Sequence, residues 1–230
     1  MTNNLTVLIL CGGRGERLRP LTESTPKPLV HINGKAILSY LLEHAQKFKI
    51  KSFVIAAGYE SRKIYDFFEE NYTHLNVSIV DSGDVDIIER IKECKNHISN
   101  DFILLYGDTL ADVSFDNLAQ FHSEHDKMAS ISLLPFKSQF GLVEIDSDDN
   151  VTSFREKPTL EQWINIGNFY FNKEIFSLMD GYASFASFLE FLGFNNLIKG
   201  YQHHGIHITV NNICELEDAG KNIHKFELDN

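Results

Sequence analysis

LTVLILCGGRGERLRPLTESTPKPLVHINGK, residues 5–35, changes character after Cys11. Leu5 to Cys11 is a short, mostly apolar run, the pattern of a buried first strand. The 25 residues from Cys11 to Lys35 carry six glycines or prolines before Gly34 and show little hydrophobic periodicity. A strand therefore opens into a long loop, and no helical pattern starts directly behind it. Working outward, Ile37, Leu38, Leu41, Leu42 and Ala45 share one face at helical spacing and predict a helix over 36–48. A strand is expected at 52–59, a helix at 60–71, a strand at 76–83 and a helix at 86–98. The segment DFILLYGDT (101–109) reads as a strand that stops at Gly107.

Three strand-then-helix units in succession predict an α/β fold whose parallel sheet carries helices on both faces. The second half differs. Strands are expected at 128–135, 140–145, 151–155, 167–172 and near 206–210, with a partly helical stretch over 174–192 and a helix over about 214–223. The sheet should therefore become mixed, within one domain spanning 1–230. In open α/β sheets, ligands bind beyond the carboxyl ends of the strands. The glycine-rich loop and Gly107–Asp108 both fall on that edge.

Composition bounds the function classes. The 230 residues are 43% hydrophobic and 12% aromatic, with 18 Phe and eight Tyr, which supports one sizeable core and argues against disorder. A net charge of -11 argues against a broad basic surface, so no nucleic-acid partner is expected. Cys11, Cys94 and Cys214 are an odd count without paired spacing, which points to a reducing cytoplasm. The opening MTNNLTVLILC lacks a basic start and a small-residue cleavage site, and its apolar run is too short to span a bilayer. Neither a leader nor a membrane partner is expected.

The loop Gly12-Gly13-Arg14-Gly15-Glu16-Arg17 leaves backbone N–H groups uncovered and able to wrap a polyphosphate. Arg14 and Arg17 would add permanently charged, bidentate contacts. The alternative is a tight turn with solvated arginines. A dinucleotide loop is disfavoured because no third glycine follows Gly15 at the required spacing, and a Walker loop is excluded because no Gly-Lys-Ser/Thr follows. Pro26-Lys27-Pro28 holds a lysine on a stiff backbone, for phosphate or as a rigid surface turn. Asp108 suits Mg²⁺, a hard ion that favours oxygen donors, or a helix N-cap. Asp112 and Asp116 read as caps or solvated acids. Glu156-Lys157 follows VTSFR, where a glutamate can accept from sugar hydroxyls and a lysine can meet phosphate; a charged turn is the plainer alternative. Trp163 reads as a packing or pocket-lining residue. His203, His204 and His207 cluster without zinc-ligand spacing.

Set in order, these segments resemble the sugar-phosphate nucleotidyltransferases, and especially the glucose-1-phosphate cytidylyltransferase branch. The likeness runs from about Val7 to Ala219. It is carried by Gly12 to Thr22, by Pro26 to Pro28, and by YGDTLADV (106–113), FGLVEID (140–146), FREKP (154–158) and INIGNFYF (164–171). The resemblance implies a Rossmann-like nucleotidyltransferase (GT-A-like) fold, with a nucleotide-binding part over about 1–113 and an acceptor-binding part over about 114–230. By position, Gly12, Gly13, Arg14, Gly15 and Lys27 would bind an NTP, with CTP favoured. Arg17, Lys27 and Asp108 would act in catalysis. Gly141, Glu156, Lys157 and Gly167 would hold a sugar 1-phosphate or a related small phosphate. Mg²⁺ would sit on Asp108 and Asn211. A homo-oligomer is compatible with all of this.

Two departures stand out. Asn211, in Val210-Asn211-Asn212, replaces the family's second metal-binding aspartate, and a neutral amide oxygen is a weaker Mg²⁺ ligand. Asp84-Val85-Asp86-Ile87-Ile88-Glu89 replaces a glycine-rich stretch that reads base and ribose, so no base contact carries over. The residues after Phe185 also diverge, leaving an acceptor other than glucose 1-phosphate open. The first departure keeps a second class in view, a nucleotide-binding protein with impaired catalysis. A dehydrogenase would instead bind NAD.

Overall fold

The computed structural model describes residues 5–228. Strand β1 (Thr6–Cys11) leads through two 3-10 turns to the small hairpin β2 (His31–Ile32) and β3 (Lys35–Ala36), then helix α1 (Ile37–Lys47). Two strand–helix steps follow, β4 (Ser52–Ala57) with α2 (Ser61–Asn71) and β5 (Asn76–Asp81) with α3 (Ile87–Glu93). β6 (Phe102–Tyr106), β7 (Thr109–Ala111) and α4 (Phe115–Ser123) come next. The remaining elements are β8 (Ala129–Lys137), β9 (Leu142–Ile145), β10 (Val151–Arg155), β11 (Thr159–Phe171), α5 (Phe185–Phe194), β12 (Ile198–Gln202), β13 (His207–Thr209) and α6 (Ile213–Leu228).

β1 shows why the chain layers as it does. Alternate residues point to opposite faces of a strand, and here both faces are buried. Val7 and Ile9 join a cluster with α1, α2, α4 and α6. Leu8 joins a second cluster with Ile88 and Ile91 of α3 and Phe185 and Phe188 of α5. Burying each such aliphatic side chain stabilises the fold by about 1.5–3 kcal/mol, and covering both faces makes a parallel sheet viable. The seven-stranded sheet runs β12-β8-β11-β6-β1-β4-β5. β11 alone runs against the other six strands, pairing antiparallel with β6 and β8. The expected mixed, mostly parallel sheet with helices on both faces is therefore present. No helix among the described residues is long and apolar enough to cross a membrane.

Several elements differ from expectation. The helix expected over 86–98 stops at Glu93 and tightens into a 3-10 turn over Cys94–His97. β11 begins at Thr159, well before the expected 167, because its long first half pairs with β8 outside the core. α4, β7 and β12 went unforeseen. α4 is nonetheless regular, burying Phe115, Leu118, Ala119 and His122 on one face. Its cap is Ser114, whose hydroxyl accepts from Asn117 N–H at 3.3 Å. Asp112 is neither a cap nor a solvated acid. It is partly buried, 2.8 Å from His203 Nε2, and accepts from Ile206 N–H at 2.6 Å, which ties the approach to β13 against β7.

Candidate active site

β1 and β6 are neighbours, so their carboxyl ends bring Gly12 and Gly107–Asp108 side by side. A cavity of about 230 Å³ opens there, and Gly12, Gly13, Lys27, Tyr106 and Asp108 are among its lining residues. Three sequence-predicted segments thus reach one place. Lys27 is buried at the start of a 3-10 turn, framed by Pro26 and Pro28. Its ammonium donates to Asp108 Oδ2 and, at 3.0 Å, to Asn211 Oδ1. Asp108 Oδ1 accepts from the Thr109 hydroxyl at 3.0 Å. Asp108 is therefore an ion-pair partner and not a helix cap.

Asn211 Oδ1 also accepts from Arg17 Nη2 at 3.4 Å. The amide is positioned by α6. Glu215 accepts from Asn211 N–H and from the Thr209 hydroxyl, each at 2.9 Å, while its own N–H donates to Asn212 Oδ1 at 2.9 Å. This reciprocal arrangement satisfies the open N–H groups of the helix start and fixes the chain just before it. Residues 17, 27, 108 and 211 form one connected polar centre.

Gly15 adopts the left-handed conformation at φ 60° and sends the chain into the single 3-10 turn Glu16–Leu18. Arg14 lies at the rim, half exposed, with Nη2 2.7 Å from Asp84 Oδ2. That guanidinium holds the Asp84 carboxyl below the usual carboxylate range. Its contact is with the departing segment 84–89, not with the Lys27 centre.

Arg90 was invisible in the sequence. In IIERIKE it looks like an ordinary solvated helix charge, and no local signal separates it from Lys92. The structure buries it among the lining residues of the cavity. It donates to Ala57 O, to Ser82 Oγ at 3.2 Å, to Gly83 O at 2.9 Å and to Val85 O at 3.1 Å. One guanidinium thereby satisfies the strand-end and loop acceptors beside the pocket. Burial drives the Cys11 thiol far up; Asp108 pushes the same way and Arg90 opposes it, so both charges act at the end of β1.

The acceptor candidates divide. Gly167, at φ 75°, lies against Tyr106, where a Cβ would come within 2.7 Å of the ring; Tyr106 lines the cavity, and Gly167 supports it from behind without lining it. Gly141, Glu156 and Lys157 group around the β9–β10 hairpin instead. A Cβ on Gly141 would lie 3.1 Å from Glu156 Oε2 and 2.7 Å from the Phe154 ring. Neither Glu156 nor Lys157 belongs to the cavity lining. Trp163 is partly exposed, with its ring edge-on to His204 at 5.8 Å.

The donor set suits Mg²⁺. Among the described residues, no three His, Cys, Asp or Glu side chains gather around one point. The Asp108 carboxylate and the Asn211 amide oxygen nonetheless meet at the same Lys27 ammonium. Mg²⁺ is commonly held by one or two carboxylates plus substrate phosphates, and one carboxylate with an amide oxygen fits that pattern.

Fold and edge site together are what the resemblance to nucleotidyltransferases implies. The Nucleotidyl transferase family matches residues 6–191, and the chain belongs to it. Its relatives place it among the sugar-phosphate members. The glucose-1-phosphate cytidylyltransferase of Salmonella typhi is 31% identical over 206 residues, covering 78% of this chain and 80% of that protein. The bifunctional protein GlmU of Methanocaldococcus jannaschii is 30% identical over 179 residues, 76% of this chain but 42% of the relative. The chain thus spans less than half the length of that relative. The solved structure of HddC from Yersinia pseudotuberculosis shares the fold, with a TM-score of 0.74 at 24% identity over 95% of this chain and 99% of that one. The sheet is accordingly the Rossmann-like nucleotidyltransferase fold.

Proposed function

We propose that the protein transfers a nucleotidyl group from an NTP, CTP first, to the phosphate of a sugar 1-phosphate or a related small phosphate. The observation that carries this reading is the convergence of Arg17, Lys27, Asp108 and Asn211 beside the glycine-rich loop. A phosphate oxygen of the acceptor attacks the α-phosphorus in line. The new O–P bond forms as the α–β bridging bond breaks, and pyrophosphate leaves with its electron pair. The nucleophile is already an anion, so no covalent enzyme intermediate is needed. The protein's work is positioning and charge compensation.

In this scheme the N–H groups of Gly12, Gly13 and Gly15 hold the nucleotide, with Arg14 at the rim. Arg17 and Lys27 neutralise triphosphate charge. Gly167, Gly141, Glu156 and Lys157 form the acceptor side, with Glu156 reading hydroxyls and Lys157 meeting the acceptor phosphate. Mg²⁺, held by Asp108 and Asn211 oxygens, would add charge compensation on the phosphates. The chain works as one domain, a nucleotide part over about 1–113 and an acceptor part over about 114–230, in a reducing cytoplasm. The name of the Salmonella relative supports CTP and glucose 1-phosphate as the first pair to test. Asn211 favours one rival, a nucleotide-binding protein with impaired catalysis.

The test is a matrix of four NTPs against sugar phosphates and other small phosphates, scored by pyrophosphate release. Release that depends on both partners is expected. Nucleotide binding without release across the panel would favour the rival.

A further inference from the structure

The polar centre carries more positive than negative charge. Lys27 and Arg17 are cations, Asp108 is the carboxylate that Lys27 meets, and Asn211, which both cations meet, is neutral. Arg90 lines the same cavity, and its guanidinium bonds only neutral acceptors: two carbonyls of the segment 83–85, Ala57 O and Ser82 Oγ. Among the described residues Arg90 forms no ion pair. Lys27, Arg17 and Arg90 thus outnumber the two carboxylates, Asp108 and the Glu215 group that holds Asn211 N–H, in a chain whose formal net charge is -11. Lys27 and Arg90 are both buried, so solvent screens their charge weakly. Asn211 decides the balance, because its amide oxygen occupies the place where both Lys27 and Arg17 donate. A carboxylate there would cancel one positive charge and pair with Asp108 to attract a divalent cation.

We propose that this centre binds the triphosphate of a nucleotide without a metal ion, and that Asn211 is the residue that sets this order. The proposal rests on the nucleotidyl-transfer reading and deepens it. The triphosphate supplies the missing negative charge, and only then does the centre become a good place for Mg²⁺, which shares Asp108 with phosphate oxygens. The apo centre, with a surplus of positive charge and one carboxylate already held by Lys27, has little to offer a free divalent ion.

The experiment is equilibrium titration by calorimetry of the full chain and of Asn211→Asp, with far-ultraviolet circular dichroism confirming that the variant is folded. Each of the four NTPs and inorganic tripolyphosphate is titrated with EDTA present and then with Mg²⁺, and Mg²⁺ is titrated alone. The native chain is expected to bind a triphosphate in EDTA and to take up no Mg²⁺ by itself. Asn211→Asp is expected to bind Mg²⁺ alone and to lose about tenfold or more of its triphosphate affinity in EDTA, recovering it when Mg²⁺ is added. Native binding that requires Mg²⁺ overturns the proposal while leaving the transfer reading intact, and that comparison needs no variant. Equal metal-free affinity in the two proteins also overturns it. No triphosphate binding by either protein in either condition overturns the proposal and the transfer reading together.

Discussion

The guanidinium carbon of Arg90 lies 2.1 Å from the point that a Cβ on Gly12 would occupy. That contact joins the first residue of the phosphate-type loop to a helix in the unrelated-looking segment 87–93. Because Arg90 is buried and anchored to the end of β4 and to the loop over 82–85, it cannot swing away freely. The glycine-rich loop is therefore held from beneath by a charge whose own bonds are all made elsewhere.

Gly12→Ala should consequently destabilise the protein by about 1–3 kcal/mol, the usual cost of overpacking a filled site, and weaken nucleotide binding with it. Gly13→Ala is the control, since a Cβ there meets nothing within 4 Å. Denaturant titration of both variants checks this. Equal stability would mean that Arg90 relaxes at little cost.

Lys27→Ala should stay folded yet lose about 10²–10³ in turnover, by analogy with removal of one preorganised donor at a developing charge. Steady-state pyrophosphate release measures it. Near-normal turnover would remove Lys27 from charge compensation, whatever its contact with Asp108 contributes to the fold.

Gly167→Ala combines two penalties: a left-handed φ of 75° and a Cβ 2.7 Å from the Tyr106 ring. A loss of about 1 kcal/mol or more is expected. Because Tyr106 lines the cavity, the variant should also raise the acceptor KM. Thermal denaturation and initial-rate kinetics together separate the two effects, and an unchanged KM would place Gly167 outside the acceptor side.

The thiols should react unequally. Burial drives Cys11 strongly upward and pushes Cys94 up to about 12, whereas Cys214 is exposed. Thiolate is the reactive form, so one fast-labelling thiol is expected in the native protein. Cys214→Ser should abolish the fast phase, and all three cysteines should label after unfolding. Mass spectrometry of the alkylated chain reads this directly.

Stability should fall on mild acidification. Burial lowers His122, His125 and His207 below the ordinary histidine value of 6.5. In that window the unfolded chain binds protons that the folded chain refuses, so stability declines as pH drops through 6.5 and levels off below the folded-state values. Asp84, Asp126 and Asp146 are lowered from 3.8, and their contribution is lost only at still lower pH. A lower Tm at about pH 5.5 than at about pH 7.5 is expected. His122→Gln should flatten part of that slope, since His122 stacks on Tyr170 at 4.2 Å and bonds the buried Ser130 hydroxyl.

The elements legible in the sequence are those whose signal is local. The run Leu5 to Cys11, the one-sided spacing from Ile37 to Ala45, and the strand ending at Gly107 all lie within a few residues of where they were expected. Hydrophobic alternation and helical spacing are properties of neighbouring residues, so they survive without tertiary context. β12 was missed because IKGYQ has little alternation and its strand character comes from pairing along β8 at the sheet edge. The burial of Arg90 and the pairing of Asp112 are not legible in the sequence for a related reason. A charged side chain reads as solvated until something distant covers it, and the partner of Asp112 is His203, 91 residues away.

The strand–loop opening, the layered α/β class and the identities of the residues on the carboxyl edge are local properties of the chain, readable without its fold. Their motifs keep a fixed order, and the stiffness of Pro26-Lys27-Pro28 is written in the covalent structure. Which of them meet depends on how the strands and α6 come together in space. Lys27 and Asn211 stand 184 residues apart, and they touch because β1 lies beside β6 while α6 returns to the same edge. Electrostatic contact depends on distance in space and on burial, neither of which is a local property of the chain. The same reason governs the glycine-rich loop, whose conformational freedom is legible in its residues and whose support by Arg90 is not.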